Sequence, residues 1–264
     1  MKWRFFREWG RSLYLVALLA LPGTASTHAQ TASESALDPA KSVPPDWPAP
    51  VHDNAVFEYV SFTQLEGRLA NREQTFRWDG EGWIGTNYNK LWIKSEGDVT
   101  NGIISDGDHE ALYDRPIPHL RYFDWQAGVR ADLDSGPART WAAIGIQGLA
   151  PYFFEFAPTF YVRDGGQVAG RLEGLYNLYV TQRLIVQPQA ELNFYSKPDP
   201  VRGIGTGLSD LDGGIRVGYQ ISRKFAPYIG FTYSSTFGDT ATFARRAGQP
   251  LHVSSLVLGL WIWR

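Results

Sequence analysis

From residue 55 onward, apolar and polar residues alternate, in runs of ten to twelve before Gly, Pro, Asn or Asp breaks the pattern. A period of two puts successive side chains on opposite faces of a β-strand. In 122–133 the odd positions are Phe123, Trp125, Ala127, Val129, Ala131 and Leu133, and the even ones are polar, Gly128 or Tyr122. In 184–195 Leu184, Val186, Pro188, Ala190, Leu192 and Phe194 share one face, and Gln187, Gln189, Glu191 and Asn193 lie on the other. Run 210–221 opposes Leu211, Ile215, Val217, Tyr219 and Ile221 to Asp210, Asp212, Arg216 and Gln220. Strands of soluble proteins average about five or six residues. A tilted strand needs about 9–11 to cross a bilayer.

Twelve runs fall at about 56–68, 74–85, 89–97, 108–115, 120–133, 139–149, 152–163, 167–179, 182–195, 209–221, 225–237 and 250–263. Their connections are expected to alternate, longer after odd strands and shorter after even ones. That is the asymmetry of an outer-membrane barrel with short periplasmic turns and both chain ends inside. A soluble β-sandwich or lipocalin-like barrel shares the alternation but points its apolar face inward. Strand length, loop asymmetry and an export signal favour the membrane. The predicted fold class is therefore all-β, a transmembrane antiparallel up-and-down β-barrel of about twelve strands. Aromatic residues make up 14% of the chain. Trp78, Trp83, Trp92, Tyr122, Trp141, Tyr152, Tyr179, Tyr195, Trp261 and Trp263 sit near run ends and are expected to form two interfacial girdles.

The export signal is at the N-terminus. Lys2, Arg4, Arg7 and Arg11 precede the apolar run 13–21, and small residues Thr27 and Ala29 follow. The run is shorter than the roughly 20 residues of a spanning helix, so 1–29 reads as a cleaved secretory signal peptide. Residues 30–54 hold Pro39, Pro44, Pro45, Pro48 and Pro50 and read as a flexible segment that packs no core. The predicted organisation is 1–29 signal peptide, 30–54 Pro-rich segment and 55–264 barrel.

Composition narrows the chemistry. With no Cys, thiolate zinc sites, disulfides and cysteine nucleophiles are excluded, and the single Met is Met1. A formal net charge of −2 gives no basic excess for nucleic acid. The chain has no P-loop, no His-Glu-x-x-His and no Cys-x-x-Cys. The stretch 203–207, Gly-Ile-Gly-Thr-Gly, reads as a loop rather than a phosphate cradle.

The blocks WDGEGWIG (78–85), NKLWIKSEG (89–97), ALYDRPIPHLRYFDWQAGVRADL (111–133), IGIQGLAPYFFE (144–155), YVTQRLIVQPQAELN (179–193), GIGTGLSDLDGGIRVGYQISRKFAPYIG (203–230) and FGDTA (237–241) resemble the copper-resistance protein B family of bacterial outer membranes. The match runs from about Trp47 to the C-terminus. The resemblance implies a barrel in the outer membrane of a Gram-negative bacterium that binds or passes copper ions. It also implies a periplasmic multicopper oxidase as partner. Lipid and the barrel-assembly machinery are further expected partners. Two departures stand out. Family members commonly carry a Met- and His-rich segment after the leader, whereas 30–54 holds only His52. They also tend to end in an aromatic residue, where this chain has Arg264.

If the apolar faces meet lipid, the opposite faces line a lumen. Its carboxylates are then Asp79, Glu81, Glu96, Asp124, Asp132, Glu155, Glu173, Glu191, Asp210 and Asp212. Its bases are Lys90, Lys94, Arg130, Arg163, Arg171 and Arg216. One reading is a salt-bridged filling, the other an acidic path for cations, and the two are compatible. Copper favours imidazole and sulfur over carboxylate. The candidate metal ligands are His52 and His119 on the periplasmic side, with Asp46 or Asp53, and His109 beside Asp106, Asp108 and Glu110. A small cation-permeable or structural porin without a copper site is the alternative function. A lipid-modifying hydrolase built on His252 and Ser254, two apart on the last strand, is the third. No catalytic residue is assigned and the chain is expected not to be an enzyme.

Overall fold

The computed structural model describes residues 55–70, 73–134 and 137–264. The signal peptide, the Pro-rich segment and His52 lie outside the described residues. Twelve long strands carry the fold: β1 (Phe57–Ala70), β2 (Glu73–Gly85), β3 (Lys90–Thr100), β5 (Asp108–Pro116), β6 (Phe123–Asp132), β7 (Arg139–Ala150), β8 (Phe154–Arg163), β9 (Gln167–Tyr176), β11 (Leu184–Tyr195), β12 (Gly207–Tyr219), β13 (Phe225–Thr236) and β14 (His252–Trp263). Two-residue strands β4 (Ile103–Ile104) and β10 (Leu178–Tyr179) and a helix α1 (Gly238–Arg246) decorate the connections.

Each long strand pairs antiparallel with its neighbours in chain order, and β11 pairs β9. The ring closes where β1 meets β14, with Ser61 opposite Trp263 and Leu69 opposite Leu256. Closure leaves no strand edge unpaired, as a chain in lipid requires. The sheet is a closed antiparallel barrel of twelve strands.

The side-chain distribution separates the two readings that the alternation left open. Phe160 is 58% exposed, Ile144 60%, Ile229 58% and Leu256 61%. Meanwhile Arg216 is 1% exposed, Glu66 0% and Asp114 1%. A soluble barrel hides apolar groups and shows charge, and this barrel does the reverse. Its exterior needs hydrocarbon around it.

β1 contains a bulge. Its register shifts between Phe62 and Gln64 against β2, and between Phe62 and Glu66 against β14. The extra residue switches which parity faces inward, from Ser61 to Gln64, Glu66 and Arg68, all buried.

One end of the barrel carries the connections 86–89, 117–122, 151–153, 177–183 and 220–224, and is called the turn end below. The loop end carries 71–72, 101–107, 133–138, 164–166, 196–206 and 237–251. The expected asymmetry rests on 196–206 and 237–251, since 101–107 is no longer than 177–183. The 164–166 connection is a tight turn, with β8–β9 paired up to Arg163–Gln167, and the β1–β2 pairing runs up to Ala70–Glu73.

The expectation of two aromatic girdles needs correction. Tyr122, Tyr152 and Tyr179 are exposed at the turn end. Trp92, Trp141 and Trp261 are buried, and Trp83, Tyr195 and Trp263 pack against buried residues. Parity explains this: Trp92 lies between Lys90 and Lys94 on the inward row of β3, so being near a strand end does not make it face lipid.

Candidate functional site

The lumen is filled by charged side chains from the strands between β1 and β12, while β13 and β14 add none. Nearer the loop end, three arginines are braced by carboxylates. Arg77 reaches Asp98 at 3.2 Å, Glu96 at 3.4 Å and Glu191 at 3.7 Å. Arg130 holds Asp108 at 2.6 Å and Asp132 at 2.7 Å. Arg171 contacts Asp108 at 2.5 Å, Glu191 at 3.3 Å and also Glu96. The Tyr161 ring lies 4.7 Å from the Arg130 guanidinium carbon, and its hydroxyl donates to Glu110 at 2.6 Å. Trp141 donates its indole N–H to Asp132 at 2.8 Å. Arg163 lies over the Trp141 ring at 5.0 Å.

A second knot joins strands on both sides of the closure. Arg216 donates to both carboxylate oxygens of Glu66 at 2.8 Å, and the Tyr228 hydroxyl donates to the same carboxylate at 2.8 Å. Arg68 donates to Glu66 at 2.8 Å and to Asp212 at 2.8 Å. Asp210 accepts from Asn193 at 2.9 Å. At the turn end, Lys90 bridges Asp114 at 3.1 Å and Asp124 at 2.5 Å. The burial of these charges is sustained because each is paired and hydrogen-bonded.

Between these knots lies a cavity of about 220 Å³. Eight carboxylates line it, Asp79, Glu81, Glu96, Asp108, Glu110, Glu155, Glu173 and Glu191, against the two cations Lys94 and Arg171. Arg171 is committed to the braced group. Among the described residues Lys94 has no ion pair within 4.0 Å, and it lies 5.9 Å from the Trp92 ring centroid. Glu81 accepts only a 3.5 Å contact from Ser61, and Glu155 accepts from Asn177 at 3.1 Å. The lining therefore carries a surplus of negative charge in a confined space, which concentrates cations.

The histidines do not join it. His109 lies on the opposite face of β5 from Asp108 and Glu110, with its Nδ1 3.0 Å from the Ser95 hydroxyl. The Asp-His-Glu cluster read from the sequence is thus split by the strand's own period of two. His119 is exposed in the 117–122 turn. His252 is exposed, stacked on Tyr233, with its Nδ1 2.9 Å from the Ser235 hydroxyl and 3.1 Å from that of Tyr233. Ser254 is not among its partners. Among the described residues, no group of three His, Cys, Asp or Glu side chains is arranged to hold a metal ion. The lumen donors are oxygens, carboxylates foremost, which do not fit tight copper chelation.

The loop end is crossed by its own chain. Arg202, in the 196–206 connection, reaches Asp132 at 3.4 Å and Asp134 at 2.5 Å. Asp199 pairs with Arg139 at 2.5 Å. Strands β6 and β7 lie three to five places from β11 and β12 around the ring, so this segment reaches across the mouth. Gly205 permits the approach of α1: a Cβ there would meet the Thr240 nitrogen at 2.3 Å.

Glu66, Arg68, Arg77, Asp98, Asp108, Glu110 and Asp114 were absent from the lumen set read from the sequence. The bulge displaced Glu66 and Arg68 from simple parity. Asp108 and Glu110 looked like loop residues. Arg77 had a legible signal, since it shares parity with Asp79 and Glu81.

A closed barrel with an apolar exterior and a charged interior is an outer-membrane β-barrel. The NanC porin is a solved structure with the same fold, at TM-score 0.50 and 13% identity, over 78% of this chain and 99% of that one. Residues 56–263 match the family model described as copper resistance protein B precursor (CopB). Copper resistance protein B of Escherichia coli is 41% identical over 213 residues, 81% of this chain and 71% of that protein. The copper resistance protein B homolog of Pseudomonas syringae pv. tomato (strain ATCC BAA-871 / DC3000) is also 41% identical, covering 81% and 72%. The chain belongs to the copper resistance protein B family, and its place is the outer membrane.

Proposed function

We propose that this barrel serves copper resistance by drawing hydrated copper(II) into its carboxylate-lined cavity, holding it weakly, and passing it across the outer membrane. The observation that supports this reading is the lining itself, eight carboxylates against two cations around about 220 Å³. Hard oxygen donors exchange ligands readily with a hydrated divalent ion and do not trap it. Weak, multiple sites suit passage better than a single tight one. Tight sequestration by the barrel is disfavoured because no His side chain faces the lumen among the described residues and the chain has no Cys. His119, exposed in the 117–122 turn, is the described imidazole on the periplasmic side in this reading, where a copper oxidase would take over the ion.

The same donor set supports a second reading, a small cation-permeable barrel with no preference for copper. We assign no enzyme activity: the imidazole of His252 is occupied by Tyr233 and Ser235 rather than by Ser254. The deciding experiment uses vesicles holding a copper-sensitive dye and the refolded full chain. Copper entry should fall strongly when Glu81, Glu155 and Glu173 become Gln. Equal entry in both proteins sinks the carboxylate path. Equal rates for copper and calcium through the wild type favour the unselective reading. In cells, a deletion strain that survives copper as well as its parent removes the copper role.

A further inference from the structure

The outward side of the turn end carries a charge pattern that the lumen does not explain. Arg115, His119 and Arg121 cluster on the β5–β6 connection, and all three are exposed. Arg183 and the pair Arg223 and Lys224 lie on the 177–183 and 220–224 turns, also exposed. The Gln220 N–H donates to the Arg183 carbonyl at 2.7 Å, so these two turns are neighbours. Among the described residues none of the five Arg and Lys side chains makes an ion pair. On the outward side of this end, Glu58 is the one exposed acid among the described residues, since Glu155 turns into the cavity. The loop end differs, mixing exposed Asp106, Asp164 and Asp239 with Lys197, Arg245 and Arg246.

Aromatic and apolar side chains are interleaved with these bases. Arg115 is paired in register with Trp125, whose ring meets Tyr113 edge-on at 5.5 Å. Tyr122 follows Arg121 and is 72% exposed. The 151–153 turn places Tyr152 at φ 68° and Phe153 at φ 63°, left-handed conformations that non-glycine residues avoid. That turn exposes both rings almost fully. Such strain persists where the surroundings reward it, and rings of this kind settle at a bilayer interface.

We propose that the turn end is a recognition rim for anionic phospholipid headgroups of the inner leaflet, the phosphatidylglycerol type. The two basic clusters hold the phosphates and the aromatic rings set the depth. Basic clusters beside a membrane surface bind anionic lipid, and Arg matches a phosphate with two parallel hydrogen bonds. An acidic protein docking on the end of the barrel fits less well. Arg115 sits up on the strand wall beside Trp125, within reach of a lipid headgroup but not of a partner below the rim. The inference depends on the membrane barrel and not on the copper reading.

The test is electron spin resonance of the refolded full chain in phosphatidylcholine vesicles containing spin-labelled phosphatidylglycerol or spin-labelled phosphatidylcholine. Wild type should immobilise the anionic label severalfold more than the neutral one. Changing Arg115, Arg121, Arg183, Arg223 and Lys224 together to Gln should bring the ratio near one, while all-Lys replacement of the four Arg should keep most of it. Arg245→Gln/Arg246→Gln, at the loop end, should leave it unchanged. Heat-dependent gel mobility verifies that each variant is a folded barrel. A ratio near one in wild type overturns the proposal, as does a preference that survives the five Gln changes. Binding of an acidic polyglutamate peptide to a wild type without lipid preference also overturns it, in favour of a protein partner.

Discussion

The two halves of the lumen use the same side chains to opposite effect. Toward the loop end, and in the Glu66–Arg216 knot, each guanidinium is enclosed by carboxylates at hydrogen-bonding distance. Toward the turn end, Glu81 and Glu155 have no ion pair within 4.0 Å among the described residues, and Glu173 has only a 3.6 Å contact with Arg171, in a cavity whose lysine pairs closely with none of the three. Residue type does not separate filling from function, but partnership does. A carboxylate whose charge is already met braces the wall, and one left over supplies field. The comparison breaks if substitutions in the two halves have the same consequences.

The largest effect is expected in the braced class. Arg216→Met leaves Glu66 fully buried with its main partner gone. Breaking such a pair from one side costs about 3–5 kcal/mol. Urea unfolding of the refolded barrel, followed by Trp fluorescence and gel mobility, should report a loss of that size. The double change Glu66→Leu/Arg216→Met should lose much less, because no orphaned charge remains. Similar losses in the single and double variants would mean that volume, not charge, holds the knot.

Next comes the unbraced class. Glu81→Gln/Glu173→Gln should leave stability within about 0.5 kcal/mol, since removing like charges relieves repulsion as it removes solvation. The same variant should sharply lower cation over anion permeability in planar bilayers. A stability loss near that of Arg216→Met, with selectivity intact, would erase the distinction between the halves. A smaller effect of opposite sign is expected at Lys94. Lys94→Met removes the cavity's uncommitted positive charge, so reversal potentials should move toward stronger cation preference. A shift toward anions would show that Lys94 was neutralised by the surrounding acids and carried no field of its own.

How much of this was legible without coordinates depended on which physical rule each feature obeyed. Period two, strand length and turn residues are local, so the twelve runs lie within a few residues of the observed strands; 139–149, for instance, became Arg139–Ala150. Parity placed Asp210, Asp212 and Arg216 on one row, because β12 is regular there. Parity failed at β1, where one inserted residue reverses the rows and hides Glu66 and Arg68 from a simple count. Parity also sets Trp92 and Trp141 on rows that face inward, although both lie near strand ends. Pairing was not legible at all. Arg171 and Asp108 lie 63 positions apart, and only ring closure and strand tilt bring them together.

The smallest effect is expected at His109, which tests whether the comparison covers the whole molecule or only its interior. In the sequence, His109 stands between two carboxylates and is one of the three candidate copper ligands. In the fold it is separated from both by the sheet itself, and it meets Ser95 at 3.0 Å while Trp78 donates to the same hydroxyl at 3.0 Å. These side chains lie on the outward row of the sheet. His109→Ala removes one hydrogen bond at a half-buried position, so stability should drop by about 0.5–1.5 kcal/mol. Copper entry into dye-loaded vesicles and copper survival of the complemented deletion strain should stay at wild-type levels. A clear loss of copper entry from this change alone would mean that the ion's route runs along the outer wall near the loop end. The acid surplus of the cavity would then be incidental to transport.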